Sequence, residues 1–184
     1  MDRLADKLHL KKGDKVLDIG CGWGSLSRHF SSEYKCSVKG ISLSEEQISY
    51  CLKKQKSSKN SKDLEYSLQD YRNENNFYDK IVSVGMFEHV GYKNYRNYME
   101  VAQRCLEDEG LFLLHTIGRN TPSRSTDPWT NKYIFPNGMI PSPAQISKSL
   151  QGLFVVEDWH NFGQYYDPTL MAWNENFQKT IFHK

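Results

Sequence analysis

Five short apolar runs punctuate the chain: Lys15 to Ile19 (KVLDI), Cys36 to Ile41 (CSVKGI), Leu64 to Leu68, Lys80 to Gly85 (KIVSVG) and Leu111 to Ile117 (LFLLHTI). Their length and their Val and Ile content predict buried strands. Between them, Leu26/Phe30/Tyr34, Ile48/Cys51/Leu52 and Tyr95/Tyr98/Met99/Ala102/Cys105 repeat at helical spacing, so each predicts a helix of about three turns with one apolar stripe. Parallel neighbours require a crossover, and the crossover is usually helical. The alternation therefore implies an α/β fold, a doubly wound and mostly parallel sheet covered by helices on both faces. Ligands bind such a sheet at the carboxyl ends of its strands.

After Ile117 the rhythm breaks. Residues 118–143 are rich in proline and carry Trp129, Tyr133 and Phe135, too long a stretch for a simple connection, and are read as an insertion over the site. A short helix near Ala144 to Leu150 and a strand from Leu153 to Trp159 follow. A last helix is expected with Asp167 as N-cap and Pro168 at N1. Its stripe, Leu170, Met171, Trp173, Phe177 and Ile181, calls for something to pack on. The Ser/Lys/Asn stretch from Lys56 to Lys62 reads as a loop.

Composition narrows the class without changing this picture. At 184 residues one domain, 1–184, is expected, and 38% apolar with 25% charged residues suits a folded chain. Lys and Arg number 24 against 22 Asp and Glu, too even a balance for a nucleic-acid surface. Cys21, Cys36, Cys51 and Cys105 form no C-x-x-C pair, which predicts free buried thiols in a reducing compartment and no metal site. The start lacks a signal-peptide core, and no apolar run approaches the roughly 20 residues that span a bilayer. A cytoplasmic location is expected.

The chemistry begins at Val16-Leu17-Asp18-Ile19-Gly20-Cys21-Gly22-Trp23-Gly24, where the first strand must turn sharply and approach a ligand. A dinucleotide site prefers glycine at position 25, which is Ser25 here. Asp18, two residues before the first glycine, suits a cofactor with a positive end such as the ammonium and sulfonium of S-adenosylmethionine. The segment resembles motif I of class I methyltransferases, with Gly20, Cys21, Gly22 and Gly24 lining the cofactor; tight strand-to-helix packing is the purely structural account of the same glycines. At the end of the second strand the acid that usually holds the ribose is missing. The sequence there is Ser42-Leu43-Ser44-Glu45-Glu46-Gln47. Ser44 and Gln47 fit an S-x-x-Q capping box, and Gln47 serves equally well as a cap or a ribose contact. Asp70 offers an acceptor for an adenine amino group and Tyr71 a ring to stack on it.

The runs VLDIGCGWG, SLSEEQ, LQDYR, IVSVGMFEHVG, GLFLLHTIG, DPW-NKYIFPNG and EDWHNFG-YYD-TLMAW together resemble the cyclopropane fatty acid synthases, which include the mycolic acid cyclopropane synthases. The resemblance spans nearly the whole chain. It implies methyl transfer from S-adenosylmethionine to a cis double bond of an unsaturated phospholipid acyl chain, followed by proton loss to a bound bicarbonate ion and closure of a cyclopropane. It also implies a membrane phospholipid as partner, with peripheral contact at the inner face of the membrane. Glu88 after the fourth strand, His115 and Ile117 at the end of the fifth and Tyr166 before the last helix are the implied catalytic set. Tyr166, His115 and the Ile117 N–H would donate to the anion, and Glu88 would accept its hydroxyl. A core role is the bland reading of His115, as a solvated pair with His89 is of Glu88. Tyr133, Phe135, Trp159 and Phe162 are candidates for an acyl channel or simple core. The family carries an N-terminal lipid-binding region and a closing antiparallel strand that this chain is expected to lack, so a truncated enzyme, covering its open surfaces as a homodimer, is expected. A methyl-branched or hydroxylated product, and cofactor binding without turnover, are the competing readings.

Overall fold

The computed structural model describes residues 1–56 and 61–182, with backbone alone at 61, 181 and 182. Residues 57–60 of the expected loop and the Ile181 side chain of the expected stripe lie outside the described residues. In chain order the elements are α1 (Asp2–Lys7), β1 (Lys15–Ile19), α2 (Ser25–Tyr34), β2 (Ser37–Ser42), α3 (Glu45–Lys56), β3 (Leu64–Leu68), β4 (Tyr78–Val84), α4 (Tyr95–Arg104), β5 (Leu106–His115), α5 (Pro128–Tyr133), α6 (Pro143–Leu150) and α7 (Asp167–Phe182). The strand order is β3-β2-β1-β4-β5 and every pairing is parallel. The expected doubly wound α/β class holds. The order reverses between β1 and β4, so the loops leaving these two strands open on a crevice at the carboxyl edge, where ligands bind in such sheets.

Successive side chains of a strand point to opposite faces, and here each face has its own core. Val16, Val38, Leu64 and Val82 pack with Ala5 of α1, Phe30 of α2 and Ile48 of α3. Leu17, Ile41 and Ile81 pack on the other side with Tyr98, Met99 and Ala102 of α4 and Ile146 of α6. Burying one such side chain stabilises the fold by about 1.5–3 kcal/mol, which fixes the strand register and with it the position of each strand end.

Several expectations need correction. Leu153 to Trp159 forms no strand. The Leu153 and Phe154 amides both donate back to the Leu150 carbonyl, turning the chain at the end of α6, and Val155 is 87% exposed. Strand propensity without a paired neighbour does not make a strand. β5 is longer than expected, ends at His115 before Ile117, and as the sheet's outer strand is only partly buried. Asp167 is the first residue of α7 in helical conformation, not an extended N-cap, because a 3-10 turn over Gly163–Tyr166 runs straight into the helix. The S-x-x-Q box at Ser44 is half formed: Ser44 Oγ accepts from the Gln47 N–H, while the Gln47 side chain turns to Ser42. A complete capping box, unanticipated, starts α6 at Ser142 and Gln145.

The contacts gather into two compact units, Met1–Phe154 and Val155–Lys184. In the second unit, Tyr166 meets Trp173 edge to face at 6.1 Å, and His160 stacks on Phe162 at 4.0 Å. Leu170, Met171, Trp173 and Phe177 are all at least half exposed.

Candidate active site

The glycine loop is held in place from several sides. The Ile41 carbonyl at the end of β2 accepts from both Gly20 and Cys21 N–H at 3.0 Å. Tyr66 Oη donates to the Gly24 carbonyl at 3.2 Å, Cys51 Sγ to that of Gly22 at 3.5 Å, and Arg28 Nη1 to that of Trp23 at 2.9 Å. Gly20, Gly22 and Gly24 all have positive φ, a region that costs other residues roughly 1–2 kcal/mol. The first and last are also sterically required: a Cβ on Gly20 would sit 2.6 Å from Met86, and one on Gly24 would sit 2.7 Å from Tyr66 Oη. Gly22 faces open space, as a backbone that a ligand approaches must. The Cys21 thiol is pushed up by burial and by the nearby Asp18 charge, so it stays protonated.

Asp18 is 2% exposed and accepts a 2.6 Å hydrogen bond from Ser27 Oγ in α2. Burial lifts its carboxyl to about 6, against the opposing effect of Ser27. Its charge is therefore uncompensated by any cation among the described residues and suits a cationic ligand. At the end of β2, Ser42 Oγ donates to Gln47 Oε1 at 2.8 Å and Leu43 is 68% exposed. After β3, the Asp70 carboxylate caps a 3-10 turn by accepting from the Arg72 N–H and pairs with the Arg72 guanidinium, which holds its pKa down. The Tyr71 ring packs edge-on against Tyr98 at 4.9 Å.

Glu88 occupies a 3-10 turn, Phe87–His89, four residues beyond β4. Its Oε1 accepts from the Ile117 N–H at 2.7 Å, while Oε2 is buried without a hydrogen-bond partner. A buried carboxylate oxygen left unpaired costs about 1–3 kcal/mol or more, so a ligand donor is the natural complement. Ile117 thus differs from the expectation: its N–H is spent on holding Glu88 and does not stand free to bind an anion. The Glu88 carbonyl accepts from Met139 N–H at 2.8 Å, so the residue just before the 118–143 segment and one near its far end are both tied to Glu88. Burial and the Glu88 charge push the neighbouring Tyr95 phenol up to about 12. His115 ends β5 exposed, its carbonyl accepting from Gly85 N–H at 3.0 Å, so the core reading fails.

Glu88, His115 and Ile117 are brought to the ends of adjacent strands β4 and β5, and Met86 against Gly20 joins that pair to the glycine loop. Tyr166 lies in the second unit, 48% exposed. Sequence reasoning missed Ser27, Gly40, Met86 and Met139. Gly40 had a readable signal, a glycine inside a strand, which marks the close approach of Cys21 and Tyr66. Met139 had none.

Residues 1–183 match the family model described as Mycolic acid cyclopropane synthetase. The chain belongs to this family. It is 53% identical over 174 residues to the cyclopropane-fatty-acyl-phospholipid synthase of Escherichia coli K12, covering 95% of this chain and 44% of that one. A sphingolipid C9-methyltransferase of Candida albicans is 36% identical over 195 residues, covering 95% of this chain and 36% of the relative. The crystal structure of a mycolic acid cyclopropane synthase complexed with SAH and CTAB superposes with a TM-score of 0.88 at 28% identity, covering 97% of this chain and 68% of that chain. The chain thus spans less than half the length of these two curated relatives.

Proposed function

We propose that the chain carries the S-adenosylmethionine-dependent catalytic domain of a cyclopropane-fatty-acyl-phospholipid synthase. The observation that carries this reading is Glu88, whose carboxylate is anchored through one oxygen and buried without a hydrogen-bond partner at the other. When bound, S-adenosylmethionine supplies an electrophilic methyl group and bicarbonate supplies a base.

Buried Asp18 would set the charge for the cofactor's cationic end, and Gly20, Cys21, Gly22 and Gly24 would let it approach the backbone. Ser42, Leu43 and Gln47 would meet the ribose, with the Gln47 NH2 as donor. Asp70 would accept from the adenine amino group once shared with Arg72, and Tyr71 would contact the ring by its edge. The acceptor is the cis double bond of an unsaturated phospholipid acyl chain. It takes the methyl, and the resulting carbocation loses a proton and closes to a cyclopropane. Bicarbonate fits Glu88 because Oε2 is a buried acceptor in need of a donor, which the ion's hydroxyl supplies. His115 would donate to the ion, Ile117 positions Glu88, and Tyr166 of the second unit is the further donor that the family resemblance implies.

No helix among the described residues is long and apolar enough to cross a membrane; the lipid substrate proposed here is what calls for peripheral action from the cytoplasm at the inner face. The similarity to a sphingolipid C9-methyltransferase favours one second reading, the same transfer ending in a methyl branch. Mass spectrometry of acyl chains after incubation with S-adenosylmethionine and monounsaturated phospholipid vesicles separates the two. The proposal expects a gain of one methylene that resists hydrogenation. A gain with the double bond still reducible selects the branched product, and cofactor binding without any gain contradicts both.

A further inference from the structure

The 118–143 segment carries a surface that neither the fold nor the cofactor site uses. α5 buries none of its residues, and Trp129, Tyr133, Ile134 and Phe135 are 62%, 61%, 48% and 54% exposed. So dense a cluster of large apolar side chains on a water-facing loop marks an interaction surface. Its surroundings say with what. Lys132 Nζ lies 4.9 Å over the Tyr133 ring, and Arg124 lies 5.7 Å over Tyr92. Beside the aromatic tip, Arg124 and Lys93 line a cleft of about 340 Å³ with Asn94, Asn131 and Asn137, and no carboxylate lines it. The one acid of the segment, Asp127, is consumed in capping α5, accepting from Thr130 N–H at 2.9 Å. Aromatic rings that prefer the headgroup level, set next to an unopposed cationic cleft, complement a surface of anionic lipid.

We propose that this tip and cleft are where the protein seats on an anionic bilayer, an inference that rests on the acyl-lipid substrate proposed above. The surface is continuous with the site. Phe135 meets the His89 ring at 6.3 Å, and Ile117, just before the segment, and Met139, near its far end, are both bonded to Glu88. Seating the tip therefore places a bilayer beside the loop that frames the Glu88 carboxylate.

Flotation with fully saturated phosphatidylglycerol vesicles tests this apart from any turnover. The chain is expected to float with these and far less with phosphatidylcholine. The Trp129→Ser/Ile134→Ser variant should bind about tenfold more weakly at unchanged S-adenosylmethionine affinity and melting temperature. Should that variant unfold, Arg124→Glu, on an exposed side chain, should by itself weaken binding about fivefold and reduce its salt sensitivity. Unchanged vesicle binding in a folded variant overturns the proposal. So does self-association of the wild type that the double variant abolishes while leaving vesicle binding intact. Vesicle binding as expected, with no product from any unsaturated lipid, upholds this surface and defeats the substrate reading alone.

Discussion

The two loops that frame the site are built on opposite principles. The glycine loop after β1 is held along its length by hydrogen bonds from β2, β3, α2 and α3, and two of its glycines leave no room for a Cβ. The 118–143 segment is fastened at its base, by Arg119 N–H to the Pro141 carbonyl and by Ile117 and Met139 to Glu88, and exposes its tip. Groups that must meet one invariant cofactor are fixed by the sheet. On the function proposed here, the groups that would admit a long apolar chain sit on a segment tied down beside Glu88 and exposed at its tip. Glu88 is the joint between them.

The largest effect is expected where that joint is cut. Glu88→Gln keeps an acceptor for Ile117 but removes the charge, and turnover should fall about a hundredfold to ten-thousandfold in an acyl-chain assay. Breaking the rigid loop instead should cost stability. Gly24→Ala combines positive φ with a Cβ 2.7 Å from Tyr66 Oη and 2.8 Å from Cys51 Sγ, for a loss of about 3 kcal/mol in urea unfolding.

Asp18→Asn should move in the other direction. Burial raises the folded-state pKa to about 6, above that of the unfolded carboxyl, so the wild type's stability is full below about pH 4 and falls as pH rises through about 6. The amide keeps the Ser27 hydrogen bond without the charge. It should gain up to about 3 kcal/mol at pH 7 and almost nothing at pH 4, while S-adenosylmethionine affinity drops. Such a gain in the empty protein paired with a loss in binding identifies a charge kept for the ligand. The smallest change is Ser142→Ala, which removes the α6 cap at the base of the 118–143 segment for about 1 kcal/mol.

Most of the sheet was legible because buried strands and amphipathic helices imprint their periods on the chain, and Lys15–Ile19 and Leu64–Leu68 fall at the expected residues. Leu153 to Trp159 misled because its composition suits a strand while its first two amides return to Leu150. The short helices α1 and α5 had too little apolar periodicity to show. At the site, residue types pointed to Asp18 and the glycines, and the family resemblance to Glu88. The bond from Ile117 to Glu88 joins positions 29 residues apart and belongs to the folded chain alone. That bond reassigns Ile117 from ligand to support.

The division between a prebuilt cofactor half and a Glu88-centred acceptor half is tested most directly by calorimetric titration of S-adenosylmethionine into the wild type, Glu88→Gln and Gly22→Ala. Gly22 has open space at its Cβ, so alanine there should weaken binding at least about tenfold by intruding on the ligand. Glu88→Gln should bind as the wild type does. Equal loss of affinity in both variants would contradict the division and make Glu88 part of the cofactor site.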